Sequence, residues 1–180
     1  MTMTVIISLL TGFISALVAS AVFVYVMYSQ RPKLALSRHL ARTTFEGKTF
    51  YAIKVVNIGR RDAFSVNAEL LLIQPHTVEG GTGYNVIEIS LVRNQLFHIR
   101  PISRVGDKFG AVFEFIVVDD LEAVWDKFRN SYLLFRVTAQ DPLSLFSHVF
   151  SSEYLSPEQA IVPGRFAKGA SMKIAPQEHS

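Results

Sequence analysis

The sequence contains no cysteine, and no charged side chain occurs among its first thirty residues. The first absence excludes disulfides and cysteine nucleophiles, and it fits a reducing compartment without requiring one. The second absence leaves an almost wholly apolar or small segment from Thr4 to Ser29. About 20 such residues suffice to cross a hydrocarbon core. The sequence therefore predicts a single transmembrane helix over residues 1–30.

A cleaved signal peptide is the alternative interpretation of this segment. Ala19-Ser20-Ala21 resembles the small-residue site at which signal peptides are cut. Signal peptides begin with basic residues, however, and the apolar run here continues past that site through Val22, Phe23 and Val24. We therefore expect the helix to be retained as a membrane anchor.

The basic residues that flank the helix predict its orientation. Four cations follow the helix before the first acid at Glu46; they are Arg31, Lys33, Arg38 and Arg42. The positive-inside rule then places the C-terminal domain in the cytoplasm and the N-terminus outside the cell (inner) membrane. The same four cations are candidates for binding anionic lipid headgroups, each gaining roughly 1 kcal/mol. The alternative is that they act only as topology determinants.

Small residues recur every fourth position in the predicted helix, at Ser8, Gly12, Ala16 and Ser20. Such rows lie along one helix face and allow two helix backbones to approach closely. The pattern predicts a homo-oligomer associated through this face. The alternative is that these are the small residues common in any membrane helix.

Beyond Pro32, apolar and polar residues alternate, which is typical of half-buried strands. The alternating sets are Tyr51, Ile53 and Val55; Phe64, Val66, Ala68, Leu70 and Leu72; Ile87, Ile89 and Leu91; Phe113, Phe115 and Val117; Leu133, Phe135 and Val137; and Phe146, His148 and Phe150. Turn residues separate the sets, the longest such stretch running from Pro75 to Tyr84. The pattern predicts an all-β, antiparallel immunoglobulin-like sandwich. We expect a basic juxtamembrane segment over 31–45, the cytoplasmic sandwich over 46–155, and a C-terminal strand and tail over 156–180.

One short helix interrupts the strands between Asp119 and Arg129. Its apolar residues recur at helical spacing and are Leu121, Val124, Trp125 and Phe128. Asp119 or Asp120 is suited to cap the helix N-terminus. A last strand is expected between Phe166 and Ile174.

No recognisable catalytic or metal-binding pattern occurs in the sequence. The histidines lack metal-ligand spacing; they are His39, His76, His98, His148 and His179. There is no G-x-S-x-G elbow and no P-loop, and the cluster of Asp119, Asp120 and Glu122 fits a helix N-terminus. We therefore predict a non-enzymatic protein without catalytic, cofactor-binding or metal-binding residues. The formal charge of +3 is modest, so nucleic-acid binding is not expected.

Thr82-Gly83-Tyr84 matches part of the T-V-G-Y-G loop of potassium selectivity filters. A filter also requires a second membrane helix and a pore loop at membrane depth. Only one such helix is predicted, and Thr82 lies far downstream of it. A phosphate-binding loop would require a helix to follow, whereas a strand pattern follows here. The sequence predicts a flexible hairpin loop over 80–83.

The order of these features resembles the cytoplasmic domain of inward-rectifier potassium channels. The residues in the region of that family's V-x-N-x-R motif are Val55, Val56, Asn57, Arg60 and Arg61, and LLFRVTAQDPLSLFSHVFSSEY resembles its last hairpin, ending at Tyr154. The resemblance covers residues 31–154. It implies a shared sandwich architecture, a tetrameric assembly beneath the bilayer and a headgroup contact near Arg31 and Lys33. It does not imply conduction, because the family's first membrane helix, pore helix and filter are missing.

Three functional hypotheses follow. The first is a membrane-anchored, oligomeric, non-enzymatic sensor or regulatory protein with an unidentified ligand or protein partner. The second is a membrane-perturbing effector of the bacterial defence or toxin type, triggered by a signal at the sandwich. Its pore would be lined by Ser8, Thr11, Ser15 and Ser20. The third is an anchored enzyme of unknown reaction, for which no acid–base or nucleophile arrangement is visible.

Overall fold

The computed structural model describes residues 2–29, 31–105, 110–117, 119–128 and 130–176. The chain divides into two compact units, Met1–Arg31 and Pro32–Ser180. The first consists mainly of α1 (Thr2–Ser29), whose 28 residues extend over roughly 42 Å at 1.5 Å per residue. This helix is long and apolar enough to span a membrane, with a mean hydropathy of 2.3 and no residue of its most apolar stretch buried. The coarse prediction of an N-terminal apolar helix followed by a β-rich domain is confirmed.

The second unit consists mainly of strands. They are β1 (Leu34–Leu36), β2 (Leu40–Phe45), β3 (Lys48–Asn57), β4 (Ala63–Val78), β5 (Gly81–Ile89), β6 (Gln95–Ile99), β7 (Val112–Val117), β8 (Tyr132–Gln140), β9 (Ser147–Tyr154), β10 (Ile161–Pro163), β11 (Arg165–Phe166) and β12 (Ile174–Ala175). Among the described residues there are three short helices rather than the one expected; they are α2 (Ile102–Val105), α3 (Leu121–Asp126) and α4 (Pro157–Ala160).

Two five-stranded sheets form the body of this unit. The first has the order β1-β3-β2-β10, with β7 also paired to β3, and the second has the order β5-β4-β8-β9, with β6 also paired to β4. The pairing is antiparallel except that β10 runs parallel to β2. The first sheet is therefore mixed, which departs from the strictly antiparallel arrangement expected. A separate hairpin pairs β11 with β12.

One hydrophobic core is shared by the two sheets, and most of the alternating sets face it. Leu133, Phe135 and Val137 of β8 are fully buried, and the Phe135 ring lies 5.6 Å from the ring of Phe115 on β7. Helix α3 buries Leu121 and Trp125 against the same core. Asp120 caps this helix as predicted, its side chain accepting a hydrogen bond from the Ala123 N–H at 3.2 Å.

Two predicted inward-facing aromatics do not lie in the core. Ser65 has a φ of +46°, and the pairing of β4 shifts register between Phe64 and Asn67. This bulge turns Phe64 out of the buried row to which Val66 belongs. Phe146 is 71% exposed because it precedes β9, in the loop that joins β8 to β9.

The stretch Pro75–Tyr84 was expected to be a turn, but it forms an extension of the β4–β5 hairpin. Pairing with β8 ends at Ile73, whereas β4 and β5 remain paired as far as Val78 and Gly81. The turn is therefore confined to Glu79 and Gly80. Gly83 faces His76 across the two strands, and a Cβ at Gly83 would lie 2.6 Å from the imidazole Nε2. Glycine at this position thus leaves room for the histidine ring.

The C-terminal segment also differs from expectation. In place of one strand between Phe166 and Ile174, it forms the short strands β11 and β12, which are joined by a loop. The end of the chain, 177–180 with His179, lies outside the described residues.

The two ends of the second unit carry different loops and turns. At one end, residues 32–34 lie beside the β3–β4 turn, where the Ile58 N–H donates to the Lys33 carbonyl at 2.9 Å. We call this end the Lys33 end. The end of β6 with the first residues of α2 lies here too, since the Asn57 side chain donates to the Ile99 carbonyl. The β8–β9 loop, 141–146, also lies here, since Phe64 pairs with Gln140 at the end of β8. The opposite end, the far end, carries the β2–β3 turn, the β4–β5 turn and helix α3, because these elements occupy the other termini of the strands.

Candidate functional site

A polar cleft of about 570 Å³ lies at the far end, between strands β2 and β3 and helix α3. Its walls are lined by Arg42, Thr44, Lys48, Thr49, Tyr51, Asp120 and Glu122. The volume is within the roughly 300–1,000 Å³ typical of small-ligand sites. Its lining is more polar than usual, with two cations, two carboxylates and three hydroxyl groups. Such a set can bind a small polar molecule that carries charge.

The cleft is built around an ion pair. Arg42 and Tyr51 are cross-strand neighbours on β2 and β3, and the N-terminus of α3 brings Glu122 against both. Both carboxylate oxygens of Glu122 lie 2.9 Å from Arg42 Nη1. The Tyr51 hydroxyl donates to Glu122 Oε2 at 3.2 Å. The Glu122 carboxylate is therefore held by two side chains of the first sheet. Tyr51 lies 71 residues and Arg42 lies 80 residues before it in the sequence.

The Tyr51 hydroxyl serves as a hydrogen-bond donor in this arrangement. Burial, followed by the negative charge of Glu122, raises the pKa of Tyr51 to about 12. The phenol thus stays protonated at physiological pH. It can therefore donate a hydrogen bond at this cleft but cannot act as a general base.

The predicted headgroup cations lie in different surroundings. The Arg31 guanidinium lies 3.6 Å from the centroid of the Tyr28 ring, a cation–π contact. Lys33 is exposed at the Lys33 end, and Arg38 is exposed between β1 and β2. Arg42 lies farther from the Lys33 end than the other cations do. Its strand partner Tyr51 is six residues along β3 from Asn57, the partner of Leu34, a distance of roughly 20 Å at strand spacing. Arg42 is thus engaged with Glu122 inside the β unit, and the headgroup contact of the four cations stays a prediction.

The predicted association face lies within α1. The Ser8 hydroxyl donates to the Thr4 carbonyl at 2.9 Å, so it is satisfied inside the helix. Gly12 has no atom within 4 Å of the position of a Cβ. Ala16 and Ser20 continue the row and are exposed. The face offers room for a second helix, and its role in association stays a prediction.

A second polar cluster holds the C-terminal segment on the first sheet. Lys54 is only 1% exposed, and its Nζ donates to the carbonyls of Ala167 at 2.6 Å and Ser171 at 2.9 Å. Glu114 lies opposite Lys54 on β7. Burial raises the pKa of Glu114, and the charge of Lys54 partly offsets that effect. These contacts are those of a structural clamp.

Within the part of the chain that the structure describes, no group of three or more His, Asp or Glu residues is placed to hold a metal ion. The acidic residues near the start of α3 have different roles. Asp120 caps α3, whereas Glu122 binds Arg42 and Tyr51.

Sequence reasoning did not find the cleft, because its parts are distant in the chain and individually ordinary. Arg42 was assigned to the membrane and Glu122 to the helix dipole, and Tyr51 belonged to an alternating apolar set. The one usable signal was a tyrosine hydroxyl in a core-facing position, since a buried hydroxyl requires a polar partner.

No protein-family model matches this chain, and no curated protein matches it. Among solved structures, the chain is similar to Spo0M, a sporulation control protein from Bacillus subtilis, with a TM-score of 0.37 and 12% identity. The alignment covers 69% of this chain and 49% of that protein, so the chain spans about half its length. At this TM-score the similarity supports no inference about fold or function.

Proposed function

We propose that this protein is a membrane-anchored, non-enzymatic sensor whose β unit binds a small polar ligand at the far-end cleft. The observation that carries this proposal is the mixed-charge cleft, set on a unit that follows a helix able to span a membrane. Arg42 and Lys48 would attract an anionic group, whereas Asp120 and Glu122 would attract a cationic one. A zwitterion of the amino-acid type matches both.

Ligand binding at this cleft has a direct route to the rest of the unit. An anionic ligand would compete with Glu122 for Arg42, and Glu122 belongs to α3, whose Trp125 lies in the core. Loss of the ion pair would thus loosen the contact of α3 with β2. A ligand can shift a structural equilibrium only by its differential affinity for two states, and this ion pair supplies such a difference.

Thermal unfolding of the full chain in lipid nanodiscs tests the proposal. Glutamate, glycine betaine and inorganic phosphate serve as probes. A ligand at a hundred times its Kd adds about 2.7 kcal/mol to the free energy of unfolding, which corresponds to a rise in Tm of roughly 5 °C or more for a chain of this size. We expect at least one zwitterionic or anionic probe to produce such a rise.

Two substitutions separate cleft binding from general effects. Arg42→Gln should abolish the rise in Tm, whereas Arg38→Gln, which removes an exposed cation outside the cleft lining, should leave it intact. The proposal fails if no probe stabilises the wild-type protein. It also fails if the probes stabilise the Arg42→Gln variant as much as the wild type.

We also propose, from the sequence patterns, that the protein is a homo-oligomer and that its β unit is an immunoglobulin-like sandwich related in architecture to inward-rectifier cytoplasmic domains. The shared core and the Phe115–Phe135 contact between the sheets support the sandwich. The parallel pairing of β10 with β2 is its main departure from that plan. The effector hypothesis ranks second, because the Ser8 and Thr11 hydroxyls donate to carbonyls of their own helix and so have less need of an aqueous pore.

A further inference from the structure

The Lys33 end of the β unit exposes large apolar side chains on three separate segments. Leu143 and Leu145, in the β8–β9 loop with Phe146, are 57% and 69% exposed. Phe97 of β6 is 75% exposed, and Ile58 of the β3–β4 turn is 57% exposed. Single exposed apolar residues are ordinary, but several at one end can form an interaction surface. The far end exposes Phe45, Val78, Tyr84 and Val86 as well, so charge and chain connectivity decide between the two ends.

The β8–β9 loop is ordered by hydrogen bonds, so its apolar residues are held outward. Asp141 Oδ1 accepts from the N–H groups of Leu143 at 3.0 Å and Ser144 at 2.7 Å, and from the Ser144 hydroxyl at 3.0 Å. Leu145 has a φ of +59°, a conformation that leucine rarely adopts. Backbone strain of this kind, at a residue whose apolar side chain is exposed to water, is typical of functional surfaces.

The same end carries an excess of positive charge. Lys33, Arg60 and Arg100 are exposed there, and the Arg104 side chain is 62% exposed at 3.9 Å from Asp62. The far end is acidic by comparison, since Glu46, Glu79, Asp119, Asp120 and Glu122 outnumber the cleft cations Arg42 and Lys48. The charge of the β unit is therefore divided between its two ends.

Chain connectivity ties the Lys33 end to the membrane helix. Helix α1 ends at Ser29, only four residues before Lys33, and an extended chain spans at most about 3.6 Å per residue. The Lys33 carbonyl is fixed to the β3–β4 turn through the Ile58 N–H. Whatever the orientation of the two units, this end of the β unit stays within a short reach of the last helical residue.

We propose that the Lys33 end docks on the anionic bilayer surface that receives α1. Phe97, Leu145 and Phe146 enter the boundary between headgroups and acyl chains, and Lys33, Arg60 and Arg100 contact lipid phosphates. Interfacial binding of this kind grows with the apolar area buried and with attraction to anionic lipid. This inference rests on the proposed membrane anchoring, but it uses a surface separate from the ligand cleft.

The absence of cysteine makes the test clean, because a single introduced thiol is the only site for a label. Leu145→Cys and Phe97→Cys carry a nitrobenzoxadiazole fluorophore in full-length proteoliposomes, with Thr82→Cys on the far-end hairpin as the matched control. Leu17→Cys in α1 reports helix insertion. Quenching by lipids with a nitroxide near the headgroup measures contact of positions 145, 97 and 82 with the bilayer surface, in phosphatidylcholine alone and in mixtures with phosphatidylserine. Lipids with a nitroxide on the acyl chain measure the insertion of position 17, which lies near the middle of the apolar span.

We expect quenching at positions 145 and 97 but not at 82, and more of it when phosphatidylserine is present. In the variant Arg60→Gln/Arg100→Gln, the ratio of docked to undocked protein should fall roughly five-fold per arginine removed. Docking is overturned, and the anchor left intact, if position 17 is quenched but the labels at 145 and 97 are quenched no more than the label at 82. No quenching at position 17 would overturn both. A blue-shifted but unquenched label at 145 would mean that a second protein copy covers this surface, which also overturns the proposal.

Discussion

At the residue scale, Phe135 is one of the largest fully buried side chains of the β unit. It is fully buried and contacts Phe115 of the facing sheet. Phe135→Ala should lower the free energy of unfolding by about 3–5 kcal/mol, because it removes buried area and leaves a cavity. Phe97→Ala, at a 75% exposed phenylalanine, should change it by less than about 0.5 kcal/mol. Urea unfolding monitored by Trp125 fluorescence measures both, and equal effects would contradict the assignment of the core.

Asp141 should make the stability of the β unit depend on pH. Burial alone would raise the pKa of this carboxyl group, but hydrogen bonds from Ser144 and Leu143 and the charge of Arg61 outweigh it, so the pKa lies below its usual value. A group of this kind stabilises the folded state above its unfolded pKa, and that contribution is lost as pH falls through its folded pKa.

The variant Asp141→Asn keeps the side-chain oxygen but loses the charge. Near neutral pH its free energy of unfolding should be lower than that of the wild type by about 1.5–3 kcal/mol, the usual contribution of hydrogen bonds to a charged group. The difference should shrink as pH falls below about 4. Urea unfolding across this range, with the exposed Asp119→Asn as the control, measures it. A difference that stays constant with pH would show that the charge of Asp141 is irrelevant.

At the element scale, Lys54 is a main contact of the C-terminal segment, beside the hydrogen bonds of Gly164 to Thr43 and Arg42. Lys54→Met removes the donor to Ala167 and Ser171 and leaves Glu114 without its facing cation. Unsatisfied buried groups cost about 1–3 kcal/mol, so tryptic cleavage at Arg165, Lys168 and Lys173 should speed up roughly ten-fold.

Mass spectrometry of the released peptides follows this cleavage, and Lys48→Met, an exposed lysine on the same strand, is the control. The C-terminal segment is held in some other way if Lys54→Met and Lys48→Met release these peptides at the same rate.

Helix α1 should associate through the face that contains Gly12. Replacing Gly12 with leucine fills the open space beside the backbone and prevents close approach of a second helix. Native mass spectrometry of the full chain in detergent should show an oligomer for the wild type and mostly monomer for Gly12→Leu. Ala21→Leu, on the opposite side of the helix, should remain oligomeric. A monomeric wild-type chain would remove the basis for self-association.

Local sequence patterns predicted where the strands lie better than they predicted which side chains face the core. Leu133, Phe135 and Val137 alternate without interruption, and all three are buried as expected. Phe64 continues a similar alternation but faces outward, because a bulge at Ser65 depends on two partner strands that local sequence does not specify. The cleft could not be predicted for the same reason. Arg42 and Glu122 are 80 residues apart, and only the folded arrangement of β2 and α3 brings them into contact.

At the scale of the whole molecule, the two ends of the β unit have different properties. The Lys33 end is cationic and directly follows helix α1, whereas the far end is acidic overall and holds the cleft. An anionic bilayer surface would attract the first end and repel the second. Under the docking proposed above, the cleft faces away from the bilayer and stays accessible to soluble ligands.

Thiol labelling of two single-cysteine variants tests the membrane-spanning arrangement most directly, because the native chain has no thiol of its own. Thr2→Cys and Glu79→Cys are placed on opposite sides of the predicted span, and a membrane-impermeant maleimide is added to intact and to permeabilised cells. We predict that Thr2→Cys is labelled in intact cells and that Glu79→Cys is labelled only after permeabilisation. Labelling of both variants in intact cells, or of neither, would contradict a single span with the β unit in the cytoplasm.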